Sequence, residues 1–322
     1  MKNPTLRLAL LSTVALVAQS SSGALFSTDF NTDQTANWTV NDPGLSDSIV
    51  DFYYDYSAIG VPAAPNGSGT RGLKMTANNS GGVFSGISVS PTGQTFSGEY
   101  RVSFDIWQNY VGPLGVGGSG TTQFSLYGIG STGTSTAWIG GTSGWTSGAN
   151  GVGFGTTLDG GSASDFRAYS SAASTSYASG NAVYQAPAGA INNSATYYTS
   201  FFSAQSAPAA QLGLFSGQTG STDAGEASFA WRRVVIEVSG GFASWSIDGL
   251  ALAKVDLSTV TLGGGNIYFG HDDTNGSSSA DPNDTLLNVT LIDNIEVVVV
   301  PEPSSLALIG LGGLALLARR RK

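Results

Sequence analysis

Apolar residues recur at every second position through most of the chain, and long runs with a helical repeat are absent from its body. The clearest unit spans residues 229–252. Val234, Ile236 and Val238 alternate with Arg233, Val235 and Glu237, and Gly240-Gly241 follows as a two-residue loop where positive φ is cheap. The return strand puts Ala243, Trp245 and Ile247 on one face, Asp248-Gly249 makes the next turn, and Leu250 starts again. This predicts a β-meander in which Val234, Ile236, Val238, Trp245 and Ile247 share one buried face.

Weaker alternation predicts strands over 48–56, 71–77, 82–89, 99–107, 123–129, 197–202, 211–215, 266–270 and 286–300. In 99–107, Tyr100, Val102, Phe104 and Ile106 alternate with Arg101, Ser103, Asp105 and Trp107. Many strands, Gly-rich turns and no helices indicate an all-β fold, a jelly-roll β-sandwich. Residues 113–211, poor in charge and rich in Gly, Ser, Thr and Ala, read as elaborated loops and short strands inserted in that sandwich.

The two ends break the pattern. Lys2 and Arg7 precede an apolar run from Leu8 to Ala18, and Ser22-Gly23-Ala24 offers small residues for cleavage. This predicts a signal peptide over 1–24, with Ala18 as second choice of cleavage site, and so the Sec export machinery and signal peptidase as partners. At the other end, Pro301-Glu302-Pro303 leads into an apolar segment, Ser304 to Ala318, closed by Arg319, Arg320, Arg321 and Lys322. As a short apolar helix it reaches only about 22 Å, against a hydrocarbon core of roughly 30 Å. The basic cluster holds its end on the cytoplasmic side. This tail, 301–322, resembles the PEP-CTERM sorting signal of Gram-negative bacteria. The resemblance implies an exosortase-type membrane protease as partner, transient anchoring in the inner membrane, and delivery to the outer surface or the exopolysaccharide and biofilm matrix.

Charge sharpens the picture. The body, 25–300, holds 7 Lys and Arg against 21 Asp and Glu, so its net charge is near −14 where the whole chain has −9. Such a surface repels nucleic acid and anionic lipid. Cysteine is absent, so core burial must hold the fold, although an exported chain is free to use disulfides.

The strings "WRRVVIEVSGGFASWSIDGLALAKVDL", "IYFGHDDTNGSSSADPND" and "LIDNIEVV", with "FSGEYRVSFDIW" earlier, resemble concanavalin A-like, laminin-G-like jelly rolls of bacterial surface proteins. Two acidic clusters fit calcium's preference for oxygen ligands. One is the loop holding Asp273, Asn275, Asp281 and Asp284, which departs from an EF-hand because Gly276 is misplaced; the competing reading is a solvated acidic loop. The other joins Asp29, near the first strand, to Asp293 in the last, which by alternation shares a core-facing side with Leu291, Ile295 and Val297. Carbohydrate-binding relatives of that fold hold calcium near their termini, and the resemblance implies the same here; otherwise Asp293 accepts backbone hydrogen bonds.

Catalysis finds little support. His271 is the single histidine, no G-x-S-x-G elbow occurs, and no strand carries E-x-D-x-x-E. Sugar binding by aromatic stacking points instead to Trp107, Tyr110, Trp138 and Trp145, with Tyr53, Tyr54 and Tyr56 as further candidates. Trp107 stands out because it alternates away from the core face. The expectation is an exported, non-catalytic adhesive protein that binds extracellular polysaccharide. The alternatives are a secreted polysaccharide-active enzyme or a purely structural surface protein.

Overall fold

The computed structural model describes residues 23–301 except 43, 45–46, 80–84, 110–122, 138, 141–143, 146–150, 159–162, 216–217, 219 and 274–282. In chain order the strands are β1 (Phe26–Thr28), β2 (Trp38–Asn41), β3 (Ile49–Asp55), β4 (Arg71–Thr76), β5 (Ser85–Pro91), β6 (Tyr100–Gln108) and β7 (Gln123–Ser131). Then come the two-residue pair β8 (Ile139–Gly140) and β9 (Gly144–Trp145), β10 (Val152–Thr157) and β11 (Phe166–Ser170). The last five are β12 (Arg232–Ser239), β13 (Phe242–Ile247), β14 (Leu250–Asp256), β15 (Asn266–Asp273) and β16 (Thr290–Val299).

The larger sheet runs β14-β13-β12-β6-β16-β4-β3, with β1 also on β16; the smaller runs β11-β10-β7-β15-β5-β2. The two stack as a jelly-roll β-sandwich. Both meander turns have positive φ at their two central residues, Gly240 (57°) with Gly241 (80°) and Asp248 (51°) with Gly249 (86°), the backbone that suits tight hairpins.

The predicted core face is buried as expected at Val234, Ile236, Trp245 and Ile247, while Val238 is only partly buried against its edge. Val234, Ile236, Trp245 and Ile247 meet Tyr127, Phe154 and Phe166 of the smaller sheet, and Trp245 stacks on Phe154 with ring centroids 5.2 Å apart. Phe104 sits edge-on to Tyr127 and Phe269. Close strand approach needs glycine at one point on the far side: a Cβ on Gly128 would lie 2.0 Å from the Val152 carbonyl oxygen and 2.5 Å from the Tyr268 hydroxyl.

A second apolar cluster lies on the outer face of the larger sheet. Trp107 and Leu291 are covered there by Tyr56 and Ile59 of a 3-10 turn (Tyr56–Ile59) and by Phe215, Phe229 and Leu287. It shields one half of that face and leaves the other open.

Three expectations need correction. Residues 197–202 and 211–215 are not strands: short helices α1 (Thr196–Thr199) and α2 (Ala209–Leu214) stand there. Tyr198 and Phe202, four apart, both pack on Phe166, which is helical spacing. Residues 286–300 begin with the helical turn α3 (Asp284–Leu287), and β16 starts only at Thr290. Finally, Asp293 does not share a face with Ile295 and Val297. A bulge at Asn294, whose φ is 51°, reverses the alternation: Leu291 and Asp293 face outward, while Ile295 and Val297 join the inter-sheet core.

Candidate functional site

The open half of the larger sheet's outer face is a lattice of polar side chains set by strand register. Across one row stand Lys254 of β14, Ser244 of β13, Glu237 of β12 and Arg101 of β6. The next row holds Ser246, Val235, Ser103 and Glu296, and Ser27 of β1 continues it. A third sets Arg233 opposite Asp105, and Asp105 opposite Asp293. Arg101 binds Glu237 through two nitrogens at 2.8 and 2.5 Å.

Two depressions occupy this face. The smaller, about 300 Å³, runs over β12, β13 and β14 and includes Glu237, Ser244, Ser246 and Lys254. The other, about 390 Å³, is lined by Ser27, Thr28, Asp29, Asn66, Arg233, Asn294, Ile295 and Glu296. It exists because β4 leaves the flank of β16 after pairing Ile292, and β1 takes that flank only from Ile295 onward. The bulged Asn294 sits in the gap.

Behind this cleft lie two buried carboxylates. Asp105 is 0% exposed. Its oxygens accept from the Asn66 side-chain amide (2.7 Å) and backbone N–H (3.3 Å), the Asn294 amide (2.8 Å) and Arg233 Nη1 (3.2 Å). Arg233 also donates to the Asn294 carbonyl (3.0 Å) and Ser103 Oγ (2.7 Å). Asp293, 1% exposed, accepts from its neighbour's backbone N–H (2.7 Å) and from the Tyr56 hydroxyl (3.0 Å). Burial pushes the Asp293 carboxyl up to about 7; repulsion from Asp105 and Asp29 adds to this, against the hydrogen bonds from Asn294 and Tyr56.

A separate polar network closes the inside of the sandwich near Asp273. Gln123 Oε1 can only accept, so His271 Nε2 carries the hydrogen donated to it, and Nδ1 accepts from the Thr290 hydroxyl (2.8 Å). Gln123 Nε2 (3.1 Å) and Asn78 Nδ2 (2.7 Å) donate to Asp273. Burial lowers the His271 pKa to about 3, so the ring is a neutral bridge between the sheets.

The residues singled out in the sequence scatter. Trp107 does leave the inter-sheet core, but it is 3% exposed beneath the second apolar cluster, with its indole N–H on Asn109 (2.7 Å); that side is not a ligand platform. Tyr110 and Trp138 lie outside the described residues, as does the side chain of Trp145 in β9. Tyr53 is exposed but lies under the Arg71 guanidinium, and Tyr56 is buried. Asp273 belongs to β15 and turns inward; Asn275 and Asp281 lie outside the described residues, and so does the side chain of Asp284.

Asp29 and Asp293 do come to one place. Each oxygen of Asp105 and Asp293 accepts a hydrogen bond, and Arg233 pairs with Asp105 at 3.2 Å. Among the described residues no group of three or more His, Asp or Glu is arranged to hold a metal. Asp105, Arg233, Asn66 and Asn294, which build the cleft, were missed. The outward parity of Arg101, Ser103, Asp105 and Arg233 was a usable signal; the approach of Asn66 was not.

No curated protein sequence is recognisably similar to this chain. Solved structures align with it at low identity. A Bacillus subtilis protein of unknown function described as having a galectin-like fold aligns with TM-score 0.45 and 11% identity, covering 86% of this chain and 96% of that one. The VIP36 exoplasmic/lumenal domain, solved in a Ca2+/Man-bound form, gives 0.39 and 10%, covering 82% and 83%. The Emp46p carbohydrate recognition domain, in a potassium-bound form, gives 0.38 and 11%, covering 83% and 92%. Residues 299–322 match the PEP-CTERM protein-sorting motif, so the chain carries a sorting signal that begins at the last residue of β16.

Proposed function

We propose that this is an exported cell-envelope or matrix protein of a Gram-negative bacterium, sorted through its PEP-CTERM tail, whose sandwich binds extracellular polysaccharide without catalysis. The binding surface is the open half of the larger sheet's outer face. The observation that carries this reading is the cleft at β1, β6, β12 and β16. Its amides, hydroxyls, carboxylates and guanidinium are pre-positioned by one another, and it opens onto further polar rows. Sugar hydroxyls both donate and accept, so a mixed lining of this kind suits them, and preorganisation lowers the entropy lost on binding. No exposed aromatic side chain stands at the cleft among the described residues, so recognition there rests on hydrogen bonds rather than stacking.

The test is calorimetric titration of the 25–300 body with neutral, acidic and amino polysaccharides. Glu296→Ala and Ser27→Ala line the cleft without supporting the core. Each should weaken binding about three- to tenfold, the worth of a hydrogen bond. Unchanged affinity in both would remove the cleft from the binding surface.

One observation favours the enzymatic alternative: Asp105 and Asp293 face each other in register, and Asp293 keeps its proton near neutral pH. A carboxyl with a raised pKa set opposite a second carboxyl is the equipment of a glycosidase. Here both are buried, and every oxygen of the pair already accepts a hydrogen bond. Release of reducing ends that disappears in Asp293→Asn would establish the enzyme instead.

A further inference from the structure

The sorting motif has no spacer. β16 ends at Val299, and Pro301 is the second residue after it. The residues just before the motif are held from several directions. Val297, Val298 and Val299 pair with Val102, Arg101 and Tyr100 of β6. On the other flank Phe26 of β1 pairs with Val297, and the Leu25 N–H donates to the Val297 carbonyl at 2.7 Å. Val300 is held as well: its N–H donates to the Glu99 carbonyl at 3.1 Å. The Glu99 carboxylate in turn accepts from Ser239 Oγ (3.1 Å) and the Gly240 N–H (2.7 Å), so the strand end is tied to the hairpin beside it.

On the other side of the motif there is little slack. The apolar segment begins at Ser304, three residues beyond Pro301, which spans at most roughly 10 Å of extended chain. Any enzyme that reads this motif while the apolar segment lies in a membrane must work in the space between that membrane and the rim of a folded sandwich. Enzymes that take peptide substrates grip them as extended chain, with backbone groups free to pair. Here the backbone on the upstream side is already paired.

We infer that the motif is read only when the end of β16, about residues 297–300, has been drawn out of the sheet, so the folded body restrains its own processing. This rests on the reading of the tail as a sorting signal. The partner is a membrane-embedded protease that takes an extended segment upstream of Pro301. Chains whose last strand has not yet docked are cut fastest, and a tightly folded body is retained longest at the membrane.

The experiment uses the full-length precursor in a host with its own sorting machinery, and follows loss of a C-terminal epitope by pulse-chase. Arg101→Cys with Val298→Cys places two cysteines at directly paired positions, where an export compartment can join them. Arg101→Ser with Val298→Ser controls for loss of the Arg101–Glu237 pair. Withdrawing the end breaks several ladder bonds, each worth about a half to one decade in an equilibrium. The joined chain should therefore be cut at least about tenfold more slowly than the serine control. A Gly-Ser-Gly-Ser spacer inserted between Val300 and Pro301 should restore the rate of the joined chain. Equal rates for the joined chain and the control would show that the protease docks on the intact rim and would overturn the inference; so would failure of the spacer to restore cutting. Normal cutting after replacement of Pro301-Glu302-Pro303 by alanine overturns the sorting reading itself, a result the other arms do not mimic.

Discussion

Asp293→Asn replaces a buried carboxyl by its neutral isostere. In the parent, burial raises this group to about 7 from an ordinary value of 3.8. The folded state therefore binds more protons than the unfolded chain between about pH 4 and pH 7, and stability contributed by this group falls across that window as pH rises. Above pH 7 the penalty is fully developed; below pH 4 it vanishes. At 1.4 kcal/mol per decade of proton affinity the full penalty would reach about 4 kcal/mol. The open cleft beside it screens part of this, which leaves about 2 kcal/mol. Asparagine loses little in exchange. Its oxygen accepts the Asn294 N–H as before, and its amide faces the Tyr56 hydroxyl, which can turn to donate to the Gly69 carbonyl at 3.3 Å. The variant should match the parent near pH 4 and exceed it by about 2 kcal/mol at pH 8, a rise in Tm of roughly 4–8 °C for a body of this size. Urea unfolding of residues 25–300 at pH 4, 6 and 8, parent beside variant, measures the difference directly. A variant less stable than the parent at pH 8, or a difference that does not grow with pH, would refute the reasoning.

Ile236→Ala should cost roughly 2–5 kcal/mol in denaturant unfolding, as a large-to-small change in the inter-sheet core. Arg233→Ala, on the opposite face, should also cost about 3 kcal/mol, because it leaves Asp105 buried without its cation; Asp105→Asn added to it should recover more than half, read from a double-mutant cycle. Gly128→Ala should destabilise by more than about 2 kcal/mol in thermal melts, since its Cβ meets backbone oxygen at 2.0 Å and backbone cannot step aside.

The meander was legible because three signals agree over residues 232–256: strict alternation, turns that need positive φ, and a tryptophan on the inward parity. Its register to β6 was not, since nothing local says that Val234 will stand opposite Phe104. The helical turns at Tyr198 and Gln211 misread as strands because four to six residues are too few to separate a period of two from one of 3.6. Trp107 illustrates a different gap. Parity correctly placed it on the outer face, but whether that face meets solvent depends on Tyr56, Phe215 and Leu287, which arrive from 51 residues upstream and from 108 and 180 residues downstream. The cleft was hidden for the same reason: Asn66 reaches Asp105 from a turn 39 residues away.

The single irregularity that defeated the reading of β16 is also what makes the cleft. Strict alternation from Leu291 to Val297 would turn Asp293 toward the same side as Ile295, and a carboxylate there would face the inter-sheet core without a partner. Asn294 in the left-handed region inserts one residue and reverses the parity. Leu291 and Asp293 then share the outer face, where Tyr56 can donate to the carboxylate, while Ile295 and Val297 still reach the core. The same residue sits at the gap between β4 and β1, and its side chain reaches into that gap to bind Asp105. Asparagine is among the few residues other than glycine that adopt this backbone readily, and it supplies the amide that glycine lacks. A left-handed backbone, carboxylate burial and an open cavity thus converge on one position. That convergence argues for a site under functional constraint more strongly than any one of them, because a sandwich built for stability alone would have kept the alternation and closed the gap.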